Sequence, residues 1–136
     1  MLSNSKVFSI IGEEKFNELV EVFYSKIEKD DLLRGMFPED LSLGKKLQIL
    51  FLIQRFGGPN EYQRLRGPAH LRKRHFLFKI GLEERNRWFN LMIESLDEIG
   101  IDSDHQVRPE MEEYFKATAT KMINQNVFAV NIPKKE

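Results

Sequence analysis

A chain of 136 residues makes one domain and buries roughly two-thirds of its unfolded surface. Hydrophobic residues make up 41% of it and eleven of them are Phe, while 21 basic and 21 acidic side chains cancel, so no global field draws it to DNA or membranes. It has no cysteine, which excludes disulfides, thiolate nucleophiles and Cys-ligated zinc. No apolar run approaches the ~20 residues of a membrane span, and VFSII near the N-terminus is too short for a signal core. A cytoplasmic chain with no membrane partner is expected.

Helical periodicity runs through most of the chain. Phe16, Leu19, Val20, Phe23, Tyr24 and Ile27 recur at spacings of three and four, which predicts one buried helix stripe. KIEKDD then turns polar, and Pro38 closes LRGMFPED. A second helix is expected from Leu43 to Phe56, ending at Gly57-Gly58-Pro59. Its residues Gly44, Gln48, Phe51 and Leu52 share a face, on which the glutamine is an oddity that also reads as a boundary residue bending out to solvent. From Gly58 to Arg72 no period emerges, so a long irregular segment is expected there, and segments of that kind are often functional. A third helix starts near Leu82 with Glu83 and Glu84 in its first turn; its stripe is Trp88, Leu91, Met92, Leu96 and Ile99, and Gly100 ends it. A fourth carries Met111, Tyr114, Phe115, Thr118 and Met122. No strand alternation competes, and the fold class is all-α, with residues 1–9 and 129–136 at the periphery.

One segment departs from the charge balance. Arg64 to Lys79 holds six Lys or Arg, two His and no acid. His70 and His75 are five apart, about 140° around a helix, so they cannot clasp one ion from a single face. His105 is isolated, and the adjacent pairs Glu13-Glu14, Glu83-Glu84 and Glu112-Glu113 diverge on a helix as solvated faces do. There is no Ser-His-Asp spacing, Gly-rich phosphate loop or HExxH. His75 is followed by Phe76, Leu77 and Phe78, so a cationic rim meets an apolar wall beside one imidazole. A haem needs those three things: an iron ligand, a porphyrin-covering surface, and cations for the propionates. A surface histidine in a basic run satisfies the same residues. Two further polar tips stand on core stripes: Tyr24, whose hydroxyl would need a buried partner, and Trp88, which also reads as an ordinary core aromatic.

Taken together, the order of several short pieces resembles the truncated haemoglobins of group II. The pieces are FY at Phe23-Tyr24, FPEDL at Phe37 to Leu41, FGGP at Phe56 to Pro59, Tyr62, and RG at Arg66-Gly67. LRxRH at Leu71 to His75, then Phe78, Glu84-Arg85 and Trp88 complete the set. The resemblance spans about residues 10 to 128. It implies a two-on-two helical sandwich filling residues 1–136, with a long loop before a short proximal helix. His75 becomes the iron ligand of a haem b, and Tyr24, Gln48 and Trp88 the distal hydrogen-bonding set. Phe37, Phe51, Leu52, Leu71 and Phe78 line the pocket, and Arg74 and Tyr62 reach the propionates. Gly44 stands where larger globins often place a distal histidine. The chain departs from the family in RGPAH at Arg66 to His70, in Leu47 where a basic residue often clasps a propionate, and in a single Gly12. Lys45 or Lys46 is the candidate substitute for that clasp.

The resemblance further implies a pentacoordinate iron that takes O2, CO or NO. A hydrogen bond to a charged acceptor is worth roughly 1.5–3 kcal/mol, so one distal donor slows O2 release about ten- to a hundredfold. Such a site suits NO dioxygenation or peroxidase-like reduction, with electrons from an external reductase, in a monomer or homodimer. The alternative is O2 storage or gas sensing without turnover. A more remote one is a helical domain without haem that binds phosphate or nucleic acid through residues 64–79. The Gly67-Pro68 break spoils a continuous basic helix and argues against nucleic acid.

Overall fold

The computed structural model describes residues 3–67 and 80–124, and all regular structure in them is helical. Helix α1 spans Val7–Glu28, and the expected stripe is its buried face: Phe16, Leu19, Val20, Phe23, Tyr24 and Ile27 are at most 6% exposed. The helix breaks at Gly12, whose φ of 82° and ψ of 169° lie where essentially only glycine is unstrained. The short arm before the break closes over the far end of the molecule. There the Phe8 N–H donates to the Phe56 carbonyl at 2.9 Å, and Val7 is 1% exposed, so the expected N-terminal periphery is anchored from Val7 onward.

After α1 the chain turns through a 3-10 segment, Arg34–Met36, and enters α2, Ser42–Arg55. The expected helix over Leu43–Phe56 matches α2 to within one residue at each end. The irregular stretch expected from Gly58 to Arg72 is not irregular throughout: Glu61–Arg66 forms a short helix, α3. Six residues are too few to show a period, and long-range contacts hold them in place. The Gln63 N–H donates to the Gln54 side-chain oxygen at 2.8 Å, and the Tyr62 ring meets the Phe51 ring edge-on at 5.2 Å.

Helices α4, Leu82–Glu98, and α5, Arg108–Lys121, follow the two remaining stripes. The Glu84 carboxylate accepts the Gly81 N–H at 2.8 Å and fixes the start of α4. Arg108, 7% exposed, ties α4 to α5 by donating to Asp97 at 2.7 Å, to Glu112 at 3.0 Å and to the Ile101 carbonyl at 2.9 Å. Helix α1 packs on both α2 and α4, and α4 packs on α5, which gives two helix pairs joined through α1 and α4. One aromatic-rich core fills the space between them, with Phe16, Phe23, Phe56 and Phe115 fully enclosed. Among the described residues no helix is long and apolar enough to cross a membrane.

Candidate functional site

The expected distal residues lie along the seam between α1, α2 and α4. Tyr24 is held by the buried stripe of α1, with its ring edge-on to Phe23 at 5.9 Å and to Phe37 at 5.8 Å. Phe37 has little regular structure to hold it, and Arg34 supplies the constraint. Its guanidinium donates to the carbonyls of Phe37, Pro38 and Glu39 at 3.3, 3.1 and 3.1 Å, gathering three backbone acceptors under one cation. Further back, the Asp30 carboxylate accepts the Leu32 and Leu33 N–H groups and pairs with Arg87 of α4 at 2.6 Å. Burial pushes the Asp30 carboxyl up, but the bonds from Arg87, Leu33 and Leu32 outweigh it and hold the group below the usual carboxylate range.

Asp40 sets the start of α2, accepting the Ser42 N–H at 3.0 Å and the Ser42 hydroxyl at 2.7 Å, which also keep its carboxyl low. Two residues on, Gly44 faces Tyr24 so closely that a β-carbon there would lie 3.2 Å from the tyrosine hydroxyl. Gln48 is one turn further along the same face and Phe51 nearly two, as the sequence spacing requires. Protein only half covers this face: Gly44, Leu47, Gln48 and Phe51 are each half-buried, while Leu52 and Ile53 beside them are 2% and 6% exposed. Leu52, expected at the pocket wall, is therefore part of the enclosed core as well.

Trp88, half-buried on α4, joins the group through a ring that sequence reasoning treated as plain core. It packs edge-on against Phe23 at 5.5 Å and against Phe115 at 6.0 Å, so Phe23 bridges Tyr24 and Trp88. Helical spacing gives no sign of this bridging role, although Phe23 opens the FY piece of the family resemblance. Lys45, a candidate propionate partner, instead reaches α1, where its ammonium lies 3.1 Å from Glu21. Tyr62 is 5% exposed beneath Phe51. Leu71, Arg74, His75 and Phe78, together with His70, lie outside the described residues.

Burial pushes the Tyr24 hydroxyl up to about 12, so it remains a neutral donor at any physiological pH. Among the described residues no group takes the Tyr24 hydroxyl, the Gln48 amide or the Trp88 indole N–H as a hydrogen-bond partner, and none of these atoms is sealed off. Three polar tips beside a half-covered apolar helix face suit a flat apolar cofactor with a small polar ligand on one side of it.

A sequence model of the bacterial-like globins matches residues 6–124. Group 2 truncated hemoglobin YjbI of Bacillus subtilis is 34% identical over 118 residues, covering 87% of this chain and 88% of that protein. Among solved structures, the hemoglobin of the thermophilic phototroph Chloroflexus aurantiacus superposes with a TM-score of 0.83 at 42% identity, covering 88% of this chain and 98% of that one. The truncated oxygen-avid haemoglobin of Bacillus subtilis gives 0.81 at 33% identity, covering 86% and 98%. The expected two-on-two arrangement is the fold these neighbours share, and it accounts for the two helix pairs. The motifs, the helix pairing and these likenesses converge on one assignment: the chain belongs to the bacterial-like globins as a group II truncated haemoglobin, with haem b as its cofactor and O2 as a ligand bound through it.

Proposed function

We propose that this globin holds a pentacoordinate haem through His75 and retains diatomic ligands tightly at a donor-rich distal wall, for O2- and NO-directed redox chemistry or scavenging. The observation that carries the proposal is Tyr24: 6% exposed, neutral, and without a partner among the described residues. The hydroxyl is not sealed from solvent, so it is free to donate to a ligand that enters beside it.

Haem supplies a redox-active iron with a coordination position for O2, CO or NO. The protein's part is binding, orientation and proton donation. Tyr24 presents its O–H from α1, and Phe23 and Phe37 hold the ring so that the hydroxyl position is fixed in advance. Gln48 offers an amide that both donates and accepts, and Trp88 offers a donor alone. Gly44 lets α2 come close against the hydroxyl, since a β-carbon there would lie only 3.2 Å from it. In this reading Phe37, Phe51, Leu52, Leu71 and Phe78 cover the porphyrin, and Arg74 and Tyr62 meet its propionates. Turnover as an NO dioxygenase or peroxidase-like enzyme draws electrons from a separate reductase.

The relative described as oxygen-avid fits this reading. The decisive experiment is the visible spectrum of the purified protein, ferric and then reduced under CO, beside His75→Ala. An intense Soret band in the wild type that is lost or grossly altered in the variant assigns the iron ligand. A wild-type spectrum retained in His75→Ala moves the ligand elsewhere.

A further inference from the structure

A cleft of about 390 Å³ opens between the second half of α1 and the segment from Glu39 to Lys45. Tyr24 and Leu41 are its buried residues, and Glu21, Glu28, Glu39 and Asp40 surround it. Lys45 is its one cation among the described residues, and the 3.1 Å pair with Glu21 spans the cleft from α2 to α1. Glu21 lies one turn before Tyr24, and Lys45 directly follows Gly44, so this pair sits level with the contact between Tyr24 and Gly44. The cleft thus joins an acid-lined mouth to a side chain that is 94% buried and whose hydroxyl has no partner among the described residues.

We infer that this cleft is a polar access route to the distal side, latched by Glu21 and Lys45, whose acidic mouth admits small neutral ligands and turns back anions. The inference rests on the haem reading above and adds ligand selection to it. Four carboxylates against one ammonium leave a net negative mouth on a chain whose formal charge is zero, so the field there is local. Low-dielectric walls focus such a field, and a small anion feels it along the whole path while an uncharged molecule does not. Glu28 and Glu39 make no side-chain hydrogen bond or ion pair among the described residues, so their charges face the approach and are not spent on the fold.

The test compares two ligands of ferric haem at neutral pH: azide, an anion, and hydrogen cyanide, which is undissociated. Stopped-flow association rates are measured for the wild-type holoprotein and for Glu28→Gln/Glu39→Gln. At low salt the double variant is expected to take up azide about threefold faster, because two repelling charges are gone, with the cyanide rate unchanged. Wild-type azide association should also rise with ionic strength while cyanide association stays flat. Equal changes for both ligands, or no change in either, would overturn the inference, as would a salt-independent azide rate in the wild type. Glu21→Gln, which releases the latch, should speed both ligands. A wild-type protein with no haem spectrum would instead count against the haem reading, and that is seen before any rate is measured.

Discussion

The Tyr24 hydroxyl lies 3.2 Å from the point that a β-carbon on Gly44 would occupy. The first turn of α2 therefore approaches the donor on α1 as closely as a glycine permits. Gly44→Ala gains about 1 kcal/mol of helix propensity against a contact tighter than most, so its net stability change should fall within about 1 kcal/mol of zero. Gly44→Val adds a branched side chain with no room and should cost about 1–3 kcal/mol in chemical denaturation. It should also change O2 release by displacing the hydroxyl. Unaltered stability and O2 kinetics in the valine variant would show that Tyr24 moves away freely.

Tyr24→Phe removes the hydroxyl and keeps the ring packed against Phe23 and Phe37. O2 dissociation, followed by stopped flow against CO, should quicken about tenfold, the equivalent of roughly 1.4 kcal/mol. Stability should hold within about 1 kcal/mol, since the hydroxyl makes no hydrogen bond to the described residues and is not sealed from solvent. A release rate equal to wild type would remove Tyr24 from the distal role.

Gly12→Ala separates backbone strain from crowding. The conformation is one that alanine resists, yet nothing lies within 4 Å of the new β-carbon, so the cost is conformational alone. About 1–3 kcal/mol is expected in urea titrations, with O2 kinetics unaffected. A stability loss below about 0.5 kcal/mol would mean the arm before Gly12 re-forms as a continuation of the helix.

Asp30 predicts a pH signature. Its folded carboxyl is held below the usual range by Arg87 and two backbone N–H groups, so the unfolded chain takes up its proton first as pH falls. The resulting stabilisation is present above the unfolded value of about 4 and is lost as pH falls through the lower folded value. Asp30→Ala should therefore be less stable than wild type at pH 7, by about 2 kcal/mol for the hydrogen bonds lost, and the gap should narrow below about pH 4. A gap constant from pH 7 to pH 3 would mean that the carboxylate charge contributes nothing.

The helices were legible because burial and periodicity coincide in them. Met92, Leu96, Met111 and Phe115, read from spacing alone, are all at most 1% exposed. The short helix α3 was not legible, because its register is set by Gln54 and Phe51, residues of a different helix. The site divided in the same way. Tyr24, Gln48 and Trp88 stand out in one dimension only as polar tips on apolar stripes, and their distal role comes from the family resemblance. What positions them is not legible there: Arg34 binds carbonyls that carry no side-chain signal, and Asp30 meets Arg87 at a separation of 57 positions. Lys45 showed a related limit, since its charge was evident but the partner that claims it, Glu21, lies a helix away.

The ring contacts of Trp88 make the protein its own reporter. The indole is the one tryptophan of the sequence, set between Phe23 and Phe115 and one ring removed from Tyr24. Porphyrin absorbs where indole emits, and energy passes between them efficiently over the dimensions of a single small domain. Indole emission from this chain therefore comes from one known position, dark while the cofactor is seated and bright once it leaves. Cofactor loss and rearrangement of the distal wall become readable in real time, without a label and without a mutation.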